Sequence, residues 1–313
     1  MNSHISPEAE LISKEADVTP TVLAAMSRGD DPRLKQIMDT MVRHLHAFLL
    51  EARPTEAEFE YALRWITAVG QATNEAHNET VLAADVLGAS TLIDLINNDG
   101  MQGETLSALL GPFYRGGAPK CLNSDCIARS DTPGSQLCFT GRVTDPAGRP
   151  VEGATLDVWQ ASPVGLYENQ DETQDDFNLR GRFTTDGDGH FHFVSVKPAG
   201  YPVPTDGPVG DLLRAQKRTP MRPAHIHFIV SAPGYKTLVT QIFSDSHEAL
   251  VNDVVFGAKQ QIVGKFFRHD SPDPEFPGAE APFYSCNYHF KLVEGQSVLP
   301  LPPISGKKVA HHG

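Results

Sequence analysis

Cysteine is scarce: four occur in 313 residues, at positions 121, 126, 138 and 286, and none forms a C-x-x-C pair. That excludes a disulfide-stapled scaffold and fits reduced thiols in a cytoplasm. The spacing of Cys121 and Cys126 could serve a zinc site. Cys138 alone lies within an apolar, strand-like run, where it reads as packing. Basic charge is also short, with 26 Lys and Arg against 39 Asp and Glu and a formal net charge of −13. Phosphate backbones need a concentrated Lys/Arg footprint, so nucleic acid is excluded as a partner. Long hydrophobic runs are missing too. No stretch approaches ~18 apolar residues, so no membrane insertion is expected. Met1 to Thr19 lacks the basic-then-apolar order of a secretory signal and reads as loosely ordered.

What is present is ordinary for a soluble globular protein, with 40% hydrophobic and 21% charged residues, and the length permits two domains. A short helix is expected over Pro20–Ser27. A long amphipathic one follows from Pro32, with Leu34, Ile37, Met38, Met41, Val42, Leu45, Phe48 and Leu49 at three- and four-residue steps. Thr55 to Glu58 is a capping box that opens the next helix. A third runs over about 79–97 and is apolar around most of its circumference, which predicts burial on several sides, a subunit contact being one candidate. Asp85 stands inside it and needs a partner. Beyond Gly100 the character changes to short β-rich runs at about 138–143, 154–159, 181–185, 191–196, 226–231 and 238–243, separated by Gly/Pro/Asp turns. This pattern predicts an α+β, mainly β protein: a helical domain over 1–103, then an antiparallel β-sandwich over 104–313 with a mobile tail.

The chemistry concentrates in Arg222-Pro223-Ala224-His225-Ile226-His227-Phe228. On a strand, alternate side chains share a face. His225 and His227 can therefore converge on one ion while Ile226 and Phe228 face an apolar core. Imidazole suits zinc, copper, iron or nickel alike, so the pair does not name the metal. His190 and His192 form a second His-x-His, which reads as a solvent-facing ladder opposite Phe191 and Phe193. The neighbouring Asp186-Gly187-Asp188-Gly189 hints at calcium, but an EF-hand loop starting there would place Lys197 where a glutamate is required.

Tyr167 and Tyr201 lie in loops upstream of this strand. Together with it, and with Leu110-Gly111-Pro112-Phe113-Tyr114, Asp157-Val158-Trp159-Gln160-Ala161, Asp206 to Arg214 and Met221 to Phe228, they give a sequence that resembles the intradiol ring-cleavage dioxygenases, above all the branch that acts on hydroxyquinol. The resemblance spans most of the chain, from the helical segment to about Phe266. It implies one non-haem Fe(3+) per subunit, held by Tyr167, Tyr201, His225 and His227. A hard trivalent cation can keep phenolates ionised at neutral pH although free tyrosine titrates near ~10. The implied reaction opens an aromatic diol or triol with O2 between its two hydroxylated carbons. Tyr201 would act as a base, Arg222 would stabilise developing negative charge, and Gln241 would be a polar neighbour. The pocket wall implied by the family is Leu82, Asp85, Leu110, Gly111, Pro112, Phe113, Val203, Pro204 and Val255. Asp85 could bond a third ring hydroxyl, which favours benzene-1,2,4-triol. The resemblance further implies a homodimer through the N-terminal helices, a phospholipid in an apolar channel there, and a cytoplasmic enzyme whose catalytic domain is the sandwich. The alternatives are a catechol or chlorocatechol 1,2-dioxygenase, a sandwich that binds iron or catecholates without cleaving them, and a colourless zinc hydrolase.

Overall fold

The computed structural model describes residues 11–98, 100–129, 131–244 and 247–307. The extreme tail, Ala310 to Gly313, and the first ten residues lie outside them. The chain forms two compact units, 1–66 and 67–313.

In the first unit, α1 (Glu15–Met26) starts before the expected Pro20 and contains it. The cause is Asp17, whose carboxylate accepts the Ser13 and Lys14 amides at 3.1 Å each and so opens the helix earlier. Helix α2 (Pro32–Ala52) is capped by Asp31, which accepts from the Arg33 and Leu34 amides at 2.8 and 3.0 Å, with Pro32 in its first turn. Helix α3 (Glu56–Ala72) begins at the predicted box: Thr55 N donates to Glu58 at 2.8 Å and Glu58 N to the Thr55 hydroxyl at 3.3 Å.

The second unit begins within α3. The expected single helix over 79–97 is two, α4 (Glu79–Val86) and α5 (Ala89–Asn97). Gly88 separates them at φ 73, a left-handed conformation that ends the first helix and is cheap only for glycine. Helix α4 buries Leu82, Ala83, Asp85 and Val86, as expected. Helix α5 buries none of its residues within the single chain, where Leu92, Ile93, Leu95 and Ile96 are exposed.

Two four-stranded sheets follow. One has the order β4 (His190–Val196), β1 (Gln136–Thr144), β10 (Phe283–Lys291), β9 (Phe266–His269); the other β3 (Arg180–Thr184), β2 (Thr155–Trp159), β7 (His225–Ser231), β8 (Leu238–Phe243). A ribbon of β5 (Tyr201–Pro202) and β6 (Met221–Arg222) and two short helices, α6 (Pro208–Ala215) and α7 (His247–Val251), complete the unit. The expectation of a wholly antiparallel sandwich needs one correction: β1 and β10 pair in parallel, Leu137 beside Tyr284 through Thr144 beside Lys291. Phe139, Phe183, Phe191, Phe193, Phe228 and Phe290 form the shared aromatic core. Cys286, which the sequence did not mark as strand-like, is buried on β10 opposite Phe139, while Cys121 and Cys126 are free thiols, the first half-buried and the second exposed. His190 and His192 are exposed while Phe191 and Phe193 are buried.

Candidate active site

Strand β7 divides as its alternation dictates. Ile226, Phe228 and Val230 enter the core, while His225 and His227 face the outer side of the sheet, where a second aromatic cluster of Phe113, Tyr114, Trp159, Tyr167 and Tyr201 covers them. Pairing sets their neighbours. His227 lies between Trp159 on β2 and Gln241 on β8, and Tyr201 on β5 lies beside Arg222 on β6.

Four donor atoms meet there. Tyr167 Oη is 2.9 Å from Tyr201 Oη and 2.9 Å from His227 Nε2, and the two imidazole Nε2 atoms are 3.0 Å apart. A metal with bonds of about 2.0–2.1 Å has neighbouring perpendicular ligands about 2.9 Å apart, which these three spacings match. The tautomer of His225 agrees. Its Nδ1 lies 2.7 Å from the Pro223 carbonyl, which can only accept, so Nδ1 carries the hydrogen and Nε2 keeps its lone pair. Arg222 Nη1, at 3.1 Å, confirms that Nε2 is an acceptor. His227 Nδ1 is buried and has no hydrogen-bond partner among the described residues. Its ring stacks on Trp159, centroids 4.6 Å apart and planes 10° from parallel.

The electrostatics point the same way. Burial, with the Arg222 charge second, lowers the His225 imidazole to about 3. Burial, with His225 second, holds His227 well below its ordinary value. Both therefore offer neutral nitrogens. Burial, with Tyr201 second, pushes the Tyr167 phenol well above its ordinary value, and burial also raises Tyr201 against the opposing Arg222 charge. Two phenols so buried keep their protons unless a cation takes their place.

Beside the donors is a small cavity of ≈ 300 Å³, a figure that includes space open to solvent. Leu82, Asp85, Gly111, Pro112, Phe113, Val203 and Val255 line it with Tyr167, Tyr201, Arg222 and His227. Leu110 packs instead against the aromatic cluster, and Pro204 lines the adjoining groove that contains His77. Gly111, at φ 75, lets the chain pass the His227 ring; a Cβ there would stand 3.4 Å from its Cε1. Asp85 finds its partner in the Ser90 hydroxyl, yet burial dominates and raises its carboxyl to about 6. Gln241 stands behind the cavity: its Nε2 donates to the Leu109 carbonyl at 2.6 Å, which turns Oε1 to accept Arg222 Nη2 at 2.9 Å.

Several residues about the site were given no role from the sequence, Trp159, Tyr114 and Asp157 having entered only as parts of the family-like segments. Trp159 supports His227 and packs against Tyr114, ring centroids 4.8 Å apart and planes tilted by 43°; the Tyr114 hydroxyl donates to Asp157 at 3.2 Å. Glu168, next to Tyr167, is buried and accepts from Arg180 Nε at 2.7 Å and Arg115 Nη1 at 2.9 Å. Asp253 pairs with Arg222. Alternation along β2 could have placed Trp159 on the face of the imidazoles, since Leu156 and Val158 occupy the other. The Glu168 and Asp253 pairs join distant segments and had no local signature.

Comparison with known proteins agrees with this geometry. Residues 109–293 match the family model described as "Dioxygenase", and residues 31–105 match "Catechol dioxygenase N terminus". The chain is 44% identical over 276 residues to a hydroxyquinol 1,2-dioxygenase of Rhizobium sp. (strain MTP-10005), covering 87% of this chain and 93% of that protein. It is 37% identical over 283 residues to a catechol 1,2-dioxygenase of Candida albicans, covering 90% and 93%. A solved structure of hydroxyquinol 1,2-dioxygenase from Pseudomonas putida DLL-E4 superposes with a TM-score of 0.83 at 39% identity, covering 90% of this chain and 99% of that one. With both parts of the chain matched and relatives this similar along nearly their whole length, the chain belongs to the intradiol ring-cleavage dioxygenase family.

Proposed function

We propose that this chain opens hydroxyquinol, benzene-1,2,4-triol, with O2 between its two adjacent hydroxylated carbons, giving 3-hydroxy-cis,cis-muconate and its tautomer maleylacetate. The observation that carries the reading is a buried carboxylate, Asp85, in the wall of the same small cavity onto which Tyr167, Tyr201 and His227 open. The 44% identity to a hydroxyquinol 1,2-dioxygenase supports it.

In this reading Tyr167, Tyr201, His225 and His227 hold one iron(III). When bound, that ion would supply a Lewis-acidic centre for the vicinal diol. The chain's own residues do the rest. Tyr201 Oη receives a proton from a ring hydroxyl, and its bond with Arg222 eases the change of charge. Arg222 sets a fixed positive charge beside the ring, in a buried place where it acts strongly. Asp85 accepts the hydrogen of the third hydroxyl, so catechol leaves this buried carboxylate with the Ser90 hydroxyl alone. Leu82, Phe113, Val203 and Val255 exclude water and fix the ring plane.

The same reading includes a homodimer through the N-terminal helices with a phospholipid between them. On α2, Leu34, Ile37, Met41, Leu45 and Phe48 form one exposed apolar stripe, which supports it. Cys121, Cys126 and Cys138, none of them in a disulfide, support a reducing cytoplasm, and among the described residues no helix is long and apolar enough to cross a membrane. Oxygen uptake decides the main point: addition of hydroxyquinol should consume one O2 per ring opened, with catechol slower. No uptake with any vicinal diol would refute the reading.

A further inference from the structure

Asp253 belongs to no motif and lines no part of the cavity, yet it is one of the most heavily bonded carboxylates of the second unit. It is buried and engages Arg222 side-on, Oδ1 at 3.2 Å from Nε and Oδ2 at 3.3 Å from Nη2. The same oxygens accept backbone amides: Val255 N at 3.4 Å, Gly257 N at 3.0 Å and Ala258 N at 3.2 Å. Gly257 permits this approach, since a Cβ there would stand 3.3 Å from Arg222 Nη2 and 3.4 Å from Asp253 Oδ2.

The consequence is geometric. A guanidinium is a planar fork with five N–H donors. Asp253 occupies the Nε–Nη2 edge, and Gln241 takes the second Nη2 hydrogen at 2.9 Å. Only Nη1 is left to face the donor cluster, where it lies 3.1 Å from His225 Nε2. A two-point grip of this kind fixes the plane of the fork as well as its position. The loop that holds Asp253 also carries Val255 of the cavity wall, so one carboxylate sets the register of wall and charge together.

We infer that Asp253 is a positioning residue for ring opening: through its side-on grip it aims Arg222 Nη1 at the reacting ring and ties that aim to the Val255 loop. The inference rests on the proposed intradiol reaction. It assigns Asp253 no contact with substrate or metal, and its effect passes wholly through Arg222.

A double-mutant cycle tests this, using D253N, R222Q and the double variant with hydroxyquinol. D253N should lower kcat by about tenfold or more while KM stays within about threefold and the iron content is unchanged, because charge stabilisation in the transition state is lost and binding is not. In the R222Q background D253N should cause no further loss of kcat. A further loss there, an unchanged kcat in D253N, or a fall in kcat matched by loss of iron would overturn the inference. If D253N does not fold, D253E takes its place, since it keeps both charges of the buried pair but lengthens the arm that sets the fork. The same fall in kcat at steady KM and iron content is then expected, and an unchanged kcat would overturn the inference. A crystal structure of D253N, or of D253E where needed, reads the placement without any turnover. Arg222 Nη1 should leave its site at His225 in D253N, and an undisplaced guanidinium would refute the inference. An inactive wild type would instead refute the proposed reaction.

Discussion

Replacing Asp85 by Ala should separate two substrates that differ by one hydroxyl. The Asp85 side chain is 3% exposed, and burial raises its carboxyl to about 6, so it is ionised at neutral pH in a place that resists ionisation. A hydrogen bond to such a carboxylate is worth about 1.5–3 kcal/mol. Its loss should therefore lower kcat/KM for hydroxyquinol, relative to catechol, by about tenfold to a hundredfold. The assay is initial-rate oxygen uptake with both substrates on wild type and D85A, normalised to iron. The wild-type preference should also be present above pH 6 and shrink below it, as the carboxylate gains its proton, while D85A shows no such titration. Stability follows the opposite course. Because the folded value is raised, the native state binds more protons between about pH 4 and 6. Stability falls as pH rises through that window, by up to about 3 kcal/mol, and D85A should remove this slope. Equal losses on both substrates would refute the role given to Asp85.

Two further outcomes follow from packing. Glu168→Gln should destabilise the fold by about 3 kcal/mol in a denaturant melt, because Arg180 would stay buried without its anion next to Tyr167; a change below about 1 kcal/mol would show that the Phe113 carbonyl and Asn169, which also accept from Arg180, suffice. Gly141→Ala should cost about 3 kcal/mol or more, since its Cβ would overlap the Tyr288 carbonyl of β10 and stand 2.6 Å from the Phe191 ring of β4; an unchanged melting temperature would mean that the strands part more readily than their register implies.

Local patterns were legible and distant pairings were not. The Asp31 and Thr55 caps, the two-faced β7 and the exposed His190/His192 ladder all depend on residues a few positions apart. Gly88 is one residue in an apolar run, and its left-handed turn overrode the helical periodicity around it. Strand β10 mixes Ser285, Asn287 and His289 with aromatic residues, so its parallel place beside β1 could be read only from tertiary pairing. The metal ligands divide in the same way. Strand alternation put His225 and His227 on one face, whereas Tyr167 and Tyr201 were placed by resemblance, because two loops and a ribbon bring them there. Asp253 and Glu168 complete their ion pairs across long stretches of chain, which no local motif encodes.

The most direct measurement is metal analysis of purified, active protein together with its visible spectrum. The four donors at 2.9–3.0 Å predict about one iron per chain and a broad tyrosinate-to-iron(III) absorption that Tyr167→Phe diminishes along with ring opening. Activity in protein without iron, or ring opening that survives the loss of both Tyr167 and Tyr201, would contradict the account.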